Sequence, residues 1–137
     1  MAGFQPGERL PEQTFRITRA DLVRYAGAAL DFNPIHWSDR IATKVGLPGV
    51  ISHGMLTMGL ASRAVCAWVG RPDAIVDYSV RFTRPVVVPD DEDGTEIAVS
   101  ATVKSVEEDG SALLDITATC GEERILAQAR ATVRPPR

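Results

Sequence analysis

The sequence predicts an α+β fold in which an antiparallel β-sheet wraps around one central α-helix. Three observations carry that reading. Residues His53 to Val69 are apolar on nearly every side and hold no Asp or Glu, the pattern of a helix buried on most sides. From Ala74 to Val133 the apolar residues recur with a period of two, the spacing of strands that lay one face on a core. The strands follow one another with only turns between them, and the apolar helix is the one element long enough to cover their shared face.

Taken in order, Met1 to Gln13 carries Pro6, Gly7 and Pro11 and reads as an extended lead-in, followed by a short strand at Thr14 to Ile17. Thr18 opens a helix, since Thr18-Arg19-Ala20-Asp21 resembles a capping box with Asp in place of Glu. Leu22, Val23, Tyr25, Ala26, Ala29 and Leu30 supply its apolar face. Pro34 pushes Asn33 out of helical space, and Asp and Asn favour turns, so this helix stops at Asp31. Ser38 and Asp39 form the cap of a second short helix through Ala42 to Val45, stopped by Gly46 and Pro48. Pro48 to Ile51 is a connector. Ser52 is placed as N-cap of the long helix, which Gly70 closes. Its small residues Gly59, Ala61, Ala64 and Ala67 permit close packing on a sheet.

The first alternating set is Ala74, Val76, Tyr78, Val80 and Phe82. Pro85 interrupts it, and Val86 to Val88 extends the edge. After an acidic turn at Pro89 to Gly94, Ile97, Val99, Ala101 and Val103 form the second set. Glu107 to Gly110 is a hairpin turn leading into Ala112, Leu114, Ile116, Ala118 and Cys120. Gly121-Glu122 turns again into Ile125, Ala127, Ala129, Ala131 and Val133, before a Pro135-Pro136-Arg137 tail.

The 137 residues suit a single domain, 1–137, with one core. A net charge of −3 argues against a nucleic-acid surface. No apolar run reaches the ~18 residues of a membrane span, and no basic start precedes an apolar core at the N-terminus. Cys66 and Cys120 lie in apolar surroundings without metal-type spacing, so they read as thiols of a reducing compartment, and a cytoplasmic location is expected.

The chemistry-bearing stretch is Leu30-Asp31-Phe32-Asn33-Pro34-Ile35-His36. A carboxylate and an imidazole five residues apart, across an Asn-Pro turn, can face each other as a general acid–base pair. Asn33 is expected to shape that loop and hold Asp31. Gly54 follows the cap of the apolar helix, where the first amides are unpaired and the helix dipole favours negative charge. Its N–H is therefore assigned as donor to a developing oxyanion, with no side chain to hinder approach. His53 reads as a structural histidine outside the catalytic set. Two histidines, no Cys/His cluster of zinc spacing and no Gly-rich phosphate loop give no reason to expect a metal or a bound cofactor.

Asp31, Asn33, Pro34, Ile35, His36 and Ala42 match the hydratase pattern Gly-Asp-x-Asn-Pro-(Ile/Leu/Val)-His-x5-Ala, ahead of Ser52-His53-Gly54-Met55. On these motifs the chain, from about Phe4 to Val133, resembles the hot-dog-fold MaoC-like dehydratases and R-specific enoyl-CoA hydratases. Leu30 stands where the pattern has Gly. The stretches Asn33 to Trp37, His53 to Gly59 and Val80 to Thr83 look closest to the catalytic B-type subunits of the (3R)-hydroxyacyl-acyl-carrier-protein dehydratases of mycolic-acid synthesis. The resemblance implies a hot-dog fold and reversible dehydration of (3R)-hydroxyacyl thioesters to trans-2-enoyl thioesters. It implies Asp31, His36 and Gly54 as the catalytic set, and Asn33, Ser52 and Met55 on the substrate side, although Ser52 reads first as a cap. It implies a substrate carried on CoA or on the phosphopantetheine of an acyl carrier protein, with Arg81 and Arg84 as candidates for its phosphates. It also implies a homodimer, or a heterodimer with a related hot-dog subunit. A hot-dog thioesterase is the main rival, but it needs a carboxylate on the central helix, and His53 to Val69 has none. A non-catalytic acyl-binding or partner subunit is the other, and it would be favoured if Asp31 or His36 were absent.

Overall fold

The computed structural model describes residues 3–135. Met1 and Ala2 of the expected lead-in, and Pro136 and Arg137 of the expected tail, lie outside the described residues. The elements run β1 (Arg9–Ile17), α1 (Arg19–Ala29), α2 (Asp39–Lys44), α3 (Gly54–Val69), β2 (Ile75–Phe82), β3 (Thr95–Val106), β4 (Ala112–Cys120), β5 (Glu123–Arg124) and β6 (Leu126–Val133). Single 3-10 turns at Pro34–His36 and Pro72–Ala74 complete them.

The strands form one six-stranded sheet in the order β1-β3-β4-β6-β2, with β5 paired to β4. Every pairing is antiparallel. The chain leaves β2 at one edge and crosses to the far side, where β3 pairs with β1, so the strands are not a simple meander. β1 begins earlier than the predicted short strand, ahead of Pro11. An edge strand tolerates a proline, and the register slips between Leu10 and Gln13 around it.

α1 starts as expected. Thr18 accepts from the Asp21 amide, and the Asp21 carboxylate accepts from the Thr18 amide at 2.8 Å. That carboxylate is held below its ordinary value, first by the Thr18 backbone N–H. Ser38 caps α2, and Gly70 closes α3 in the left-handed region at φ 79°.

α3 lies on the sheet through Thr57, Ala61, Ala64, Val65 and Val69, all buried. Ala61 and Ala64 are small enough to let the helix approach the sheet closely, and they share one core with Val99, Val103 and Leu114. Its other side is open: Met55 is 61% exposed, and Gly59, Arg63 and Ala67 are exposed too. The expectation of burial on most sides is thus met on one face only. One sheet covers about half of a helix, and no second layer lies over α3 among the described residues.

β3 and β4 alternate as their sequence predicts, with Ile97, Val99, Val103, Leu114 and Ala118 buried. β2 does not: Val76 and Phe82 are about half exposed. Its register against β6 slips between Ile75 and Asp77 and again between Ser79 and Arg81. The first slip adds a residue to β2, which leaves Val76 outside the core while Ile75, Tyr78 and Val80 pack against it; the second adds its residue to β6 instead, and Phe82 stays beside Gly54 at the start of α3. Gln128, at φ 48°, lies opposite the second slip. The expected edge at Val86 to Val88 forms no strand. It forms an isolated bridge to the connector instead, through Ser52 N–H to Val86 O at 2.8 Å and Val88 N–H to Val50 O at 3.0 Å. Cys66 and Cys120 are free and half-buried. No helix among the described residues is long and apolar enough to cross a membrane.

Candidate active site

The site is built where the loop after α1 meets the start of α3. α1 ends at Leu30, whose φ of 57° and ψ of 31° are left-handed. That conformation favours glycine, which accounts for the Gly of the hydratase pattern at this position. Leu30 adopts it all the same, with its side chain 77% exposed. The chain then doubles back. Asp31 Oδ1 accepts from the Asn33 N–H at 3.2 Å, and Asn33 Oδ1 accepts from the Ile35 N–H at 3.2 Å. Asn33 thus caps the turn that lifts His36 inward.

His36 is buried, and its Nδ1 lies 2.8 Å from the Ile51 carbonyl. A carbonyl oxygen only accepts, so Nδ1 carries the proton and Nε2 keeps a free lone pair. Nε2 is 4.0 Å from Asp31 Oδ2, and the carboxylate is half exposed. That gap is too long for a direct hydrogen bond. It suits a bridging water or a substrate hydroxyl held between the two groups.

α3 supplies the second part. Its N-cap is His53, not Ser52, and no side chain caps it. Ser52 is drawn into the extended pairing with Val86, one residue too early, and its hydroxyl donates to the His53 carbonyl at 3.3 Å. The correction has a chemical consequence: the Gly54 N–H has no hydrogen-bond partner among the described residues. Gly54 and His36 line one cavity of about 280 Å3, near the lower end for small-ligand sites. Ser52 and Thr57 complete its polar wall, and Phe82, Val86, Ile125 and Leu126 its apolar wall.

The remaining expected site residues fall elsewhere. Met55 points to the surface and does not line the cavity, because it follows Gly54 by one helical step. Asp31 and Asn33 lie outside the lining as well. Arg84 lines the cavity and pairs with Glu123 at 3.6 Å, whereas Arg81 is exposed on β2.

Two contributors lie outside the catalytic set expected from the sequence, the Ile51 carbonyl, which was not foreseen, and His53, which was read as structural. The Ile51 carbonyl, which sets the His36 tautomer, leaves no side-chain signal. His53 does leave one, being the neighbour of Gly54. It is 1% exposed, stacks on His36 at 3.8 Å with 23° between rings, and lies 4.7 Å from Tyr25. Its Nε2 donates to the Asp31 carbonyl at 3.2 Å, and its Nδ1 is buried without a partner. Burial holds this imidazole below its ordinary value. The bond to Asp31 works against that shift, and the neighbouring His36 adds to it. Asp31, His36 and His53 offer ligand atoms within 4.8 Å of one another. The two rings are nearly parallel, however, so no point about 2.0–2.1 Å from a nitrogen of each lies in both ring planes.

A family model described as "MaoC like domain" matches residues 4–118. The chain is 44% identical over 79 residues to 3-hydroxyacyl-thioester dehydratase X of Mycobacterium tuberculosis, covering 58% of this chain and 27% of that one. It is 30% identical over 122 residues to 3-hydroxybutyryl-CoA dehydratase of Methylorubrum extorquens, covering 88% and 74%. A solved structure described as a MaoC-like dehydratase superposes with a TM-score of 0.92 at 40% identity, over 96% of this chain and 40% of that one. The chain thus spans about a quarter of the first relative's length and two-fifths of the solved structure's. The antiparallel sheet lying on one long helix is the hot-dog fold of that structure, and the chain belongs to the MaoC-like domain family.

Proposed function

We propose that the chain is a hydro-lyase that reversibly dehydrates (3R)-hydroxyacyl thioesters to trans-2-enoyl thioesters. The observation that carries this is the free Nε2 of His36, set by the Ile51 carbonyl and facing the Asp31 carboxylate across 4.0 Å, in a wall shared with the unpaired Gly54 N–H. The similarity to proteins named as a 3-hydroxyacyl-thioester dehydratase and a 3-hydroxybutyryl-CoA dehydratase supports the same reading.

Dehydration breaks the C2–H and C3–O bonds and forms the C2=C3 double bond. The C2 proton is weakly acidic until the thioester oxygen gains a partner for its growing charge. The Gly54 N–H is that partner, aided by the dipole of α3. One member of the Asp31/His36 pair takes the C2 proton, and the C3 hydroxyl leaves as water with a proton. The pair ends with the protons it began with, and in hydration the same groups activate the water. No metal or bound cofactor takes part in this scheme. CoA or phosphopantetheine carries the acyl group, and Arg84 at the cavity meets its phosphates.

The working unit is a dimer, with a second copy or a related hot-dog subunit. It is joined along β2, which has no strand on its outer side among the described residues. The reading places the protein in the cytoplasm, where unpaired thiols such as Cys66 and Cys120 are stable.

The test adds the protein to crotonyl-CoA and follows the enoyl absorbance together with free thiol. Loss of the enoyl band without thiol release is expected. Release of free thiol in step with the loss of the band makes the protein a thioesterase, and no change in either makes it a binding subunit.

A further inference from the structure

We propose that His53 is a positioning residue of the reaction, locking the loop that bears the acid–base pair to the helix start that bears the oxyanion donor. The inference rests on the reading above, but its test does not depend on activity alone. Asp31 and His36 sit on one segment and Gly54 on another, and the geometry between them decides whether a thioester meets all three at once. Misplacement of about 1 Å at such a site costs up to ~10²-fold in rate.

His53 touches each part. Its Nε2–H donates to the carbonyl of Asp31 itself, 3.2 Å away, so it holds the backbone from which the carboxylate projects. Its ring lies flat against His36 at 3.8 Å. With Nδ1 of His36 tied to Ile51, the stack fixes the plane in which the His36 Nε2 lone pair points. Its own carbonyl accepts from Leu56 and Thr57 at 3.1 and 3.2 Å, which starts α3 directly behind Gly54. Tyr25 closes the other side of the ring. The groups facing the imidazole are therefore Tyr25, His36 and the Asp31 carbonyl and carboxylate, and burial among them disfavours its protonation. A charge on this ring would lie 3.8 Å from the His36 ring and oppose any charge there. The bare, unpartnered Nδ1 fits a ring kept for its shape and for one hydrogen bond.

The experiment uses His53→Gln and His53→Phe. Gln keeps a donor toward the Asp31 carbonyl and loses the stack. Phe keeps a ring against His36 and loses the donor. Crotonyl-CoA hydration is measured with amide hydrogen exchange at the His36 N–H, which bonds to the Asn33 carbonyl. The expected result for Phe is a ~10- to 100-fold fall in kcat with KM within about twofold and faster exchange in the loop. Gln recovers most of the loop protection and at least part of kcat. Loop exchange unchanged in the Phe variant overturns the proposal, as does a loss that falls on KM alone. Equal damage in both variants with a lowered Tm overturns it too, since that marks a packing role. A wild-type protein with no hydratase activity overturns the functional reading instead, and the exchange result still decides the role of His53.

Discussion

Replacing Leu30 by glycine should make the protein more stable without touching its chemistry. Leu30 holds φ at 57°. An L-residue there strains Cβ against the carbonyl, at a cost of roughly 1–2 kcal/mol. The Leu30 side chain is 77% exposed, so little burial is lost with it. Glycine gives back about 0.4–1 kcal/mol through the freer unfolded chain. The net gain is about 0.5–1 kcal/mol. At about 2.1 cal/mol/K per residue, the unfolding entropy is near 0.3 kcal/mol/K for this length. The gain should then raise Tm by about 2–4 °C in scanning calorimetry, with hydration of crotonyl-CoA unchanged. A lower Tm would refute the reasoning, because it would mean that the Leu30 side chain is buried in the working assembly and contributes more than the backbone strain costs.

Asp31→Asn and His36→Ala should each slow hydration by ~10²-fold or more, and the double variant should lose little beyond either single one; additive losses would mean that the two do not act as a unit. At Gly54 an added Cβ would come 3.2 Å from Cε1 and Cζ of the Phe82 ring. Gly54→Pro, tolerated in a first helical turn, removes the donor and should lower kcat by ~10²–10³-fold. If Phe82→Ala restores that rate, the loss was crowding and the oxyanion role falls. Asp39 accepts from the Val50 N–H and from Arg19, and these hold its carboxyl below the ordinary 3.8. A depressed carboxyl contributes stability above its unfolded pKa and loses it as pH falls through the folded one. The Tm gap between wild type and Asp39→Asn should therefore close as pH is lowered from 6 toward about 2, and a gap independent of pH would count against the clasp.

What could be read from the chain was what short-range chemistry decides. The Thr18–Asp21 box, the Ser38 cap and the β3–β4 hairpin each depend on residues a few positions apart, and the structure has them where they were expected. The proximity of Asp31 to His36 came from the same kind of signal, an Asn-Pro turn. What failed depends on partners distant in sequence. Ser52 has every local attribute of a cap, yet Val86 claims its backbone. The β2 alternation looked regular, but its pairing with β6 slips twice, and the place of β2 at the sheet edge is decided by that pairing. The His36 tautomer hangs on a backbone oxygen fifteen residues away, which no side-chain pattern records.

The two tryptophans sit at separate joints of this architecture. Trp37, directly after His36 and 55% exposed, donates its indole N–H to the Phe32 carbonyl at 3.0 Å. Trp68, near the end of α3, donates to the Pro11 carbonyl at 2.9 Å and ties β1 to the helix. Each is an intrinsic optical reporter of a different event. Emission from a variant retaining only Trp37 follows the loop that carries Asp31 and His36 as ligand arrives. Emission from one retaining only Trp68 follows the parting of helix and sheet. The chain thus carries, without any label, the means to tell opening of the site from melting of the fold.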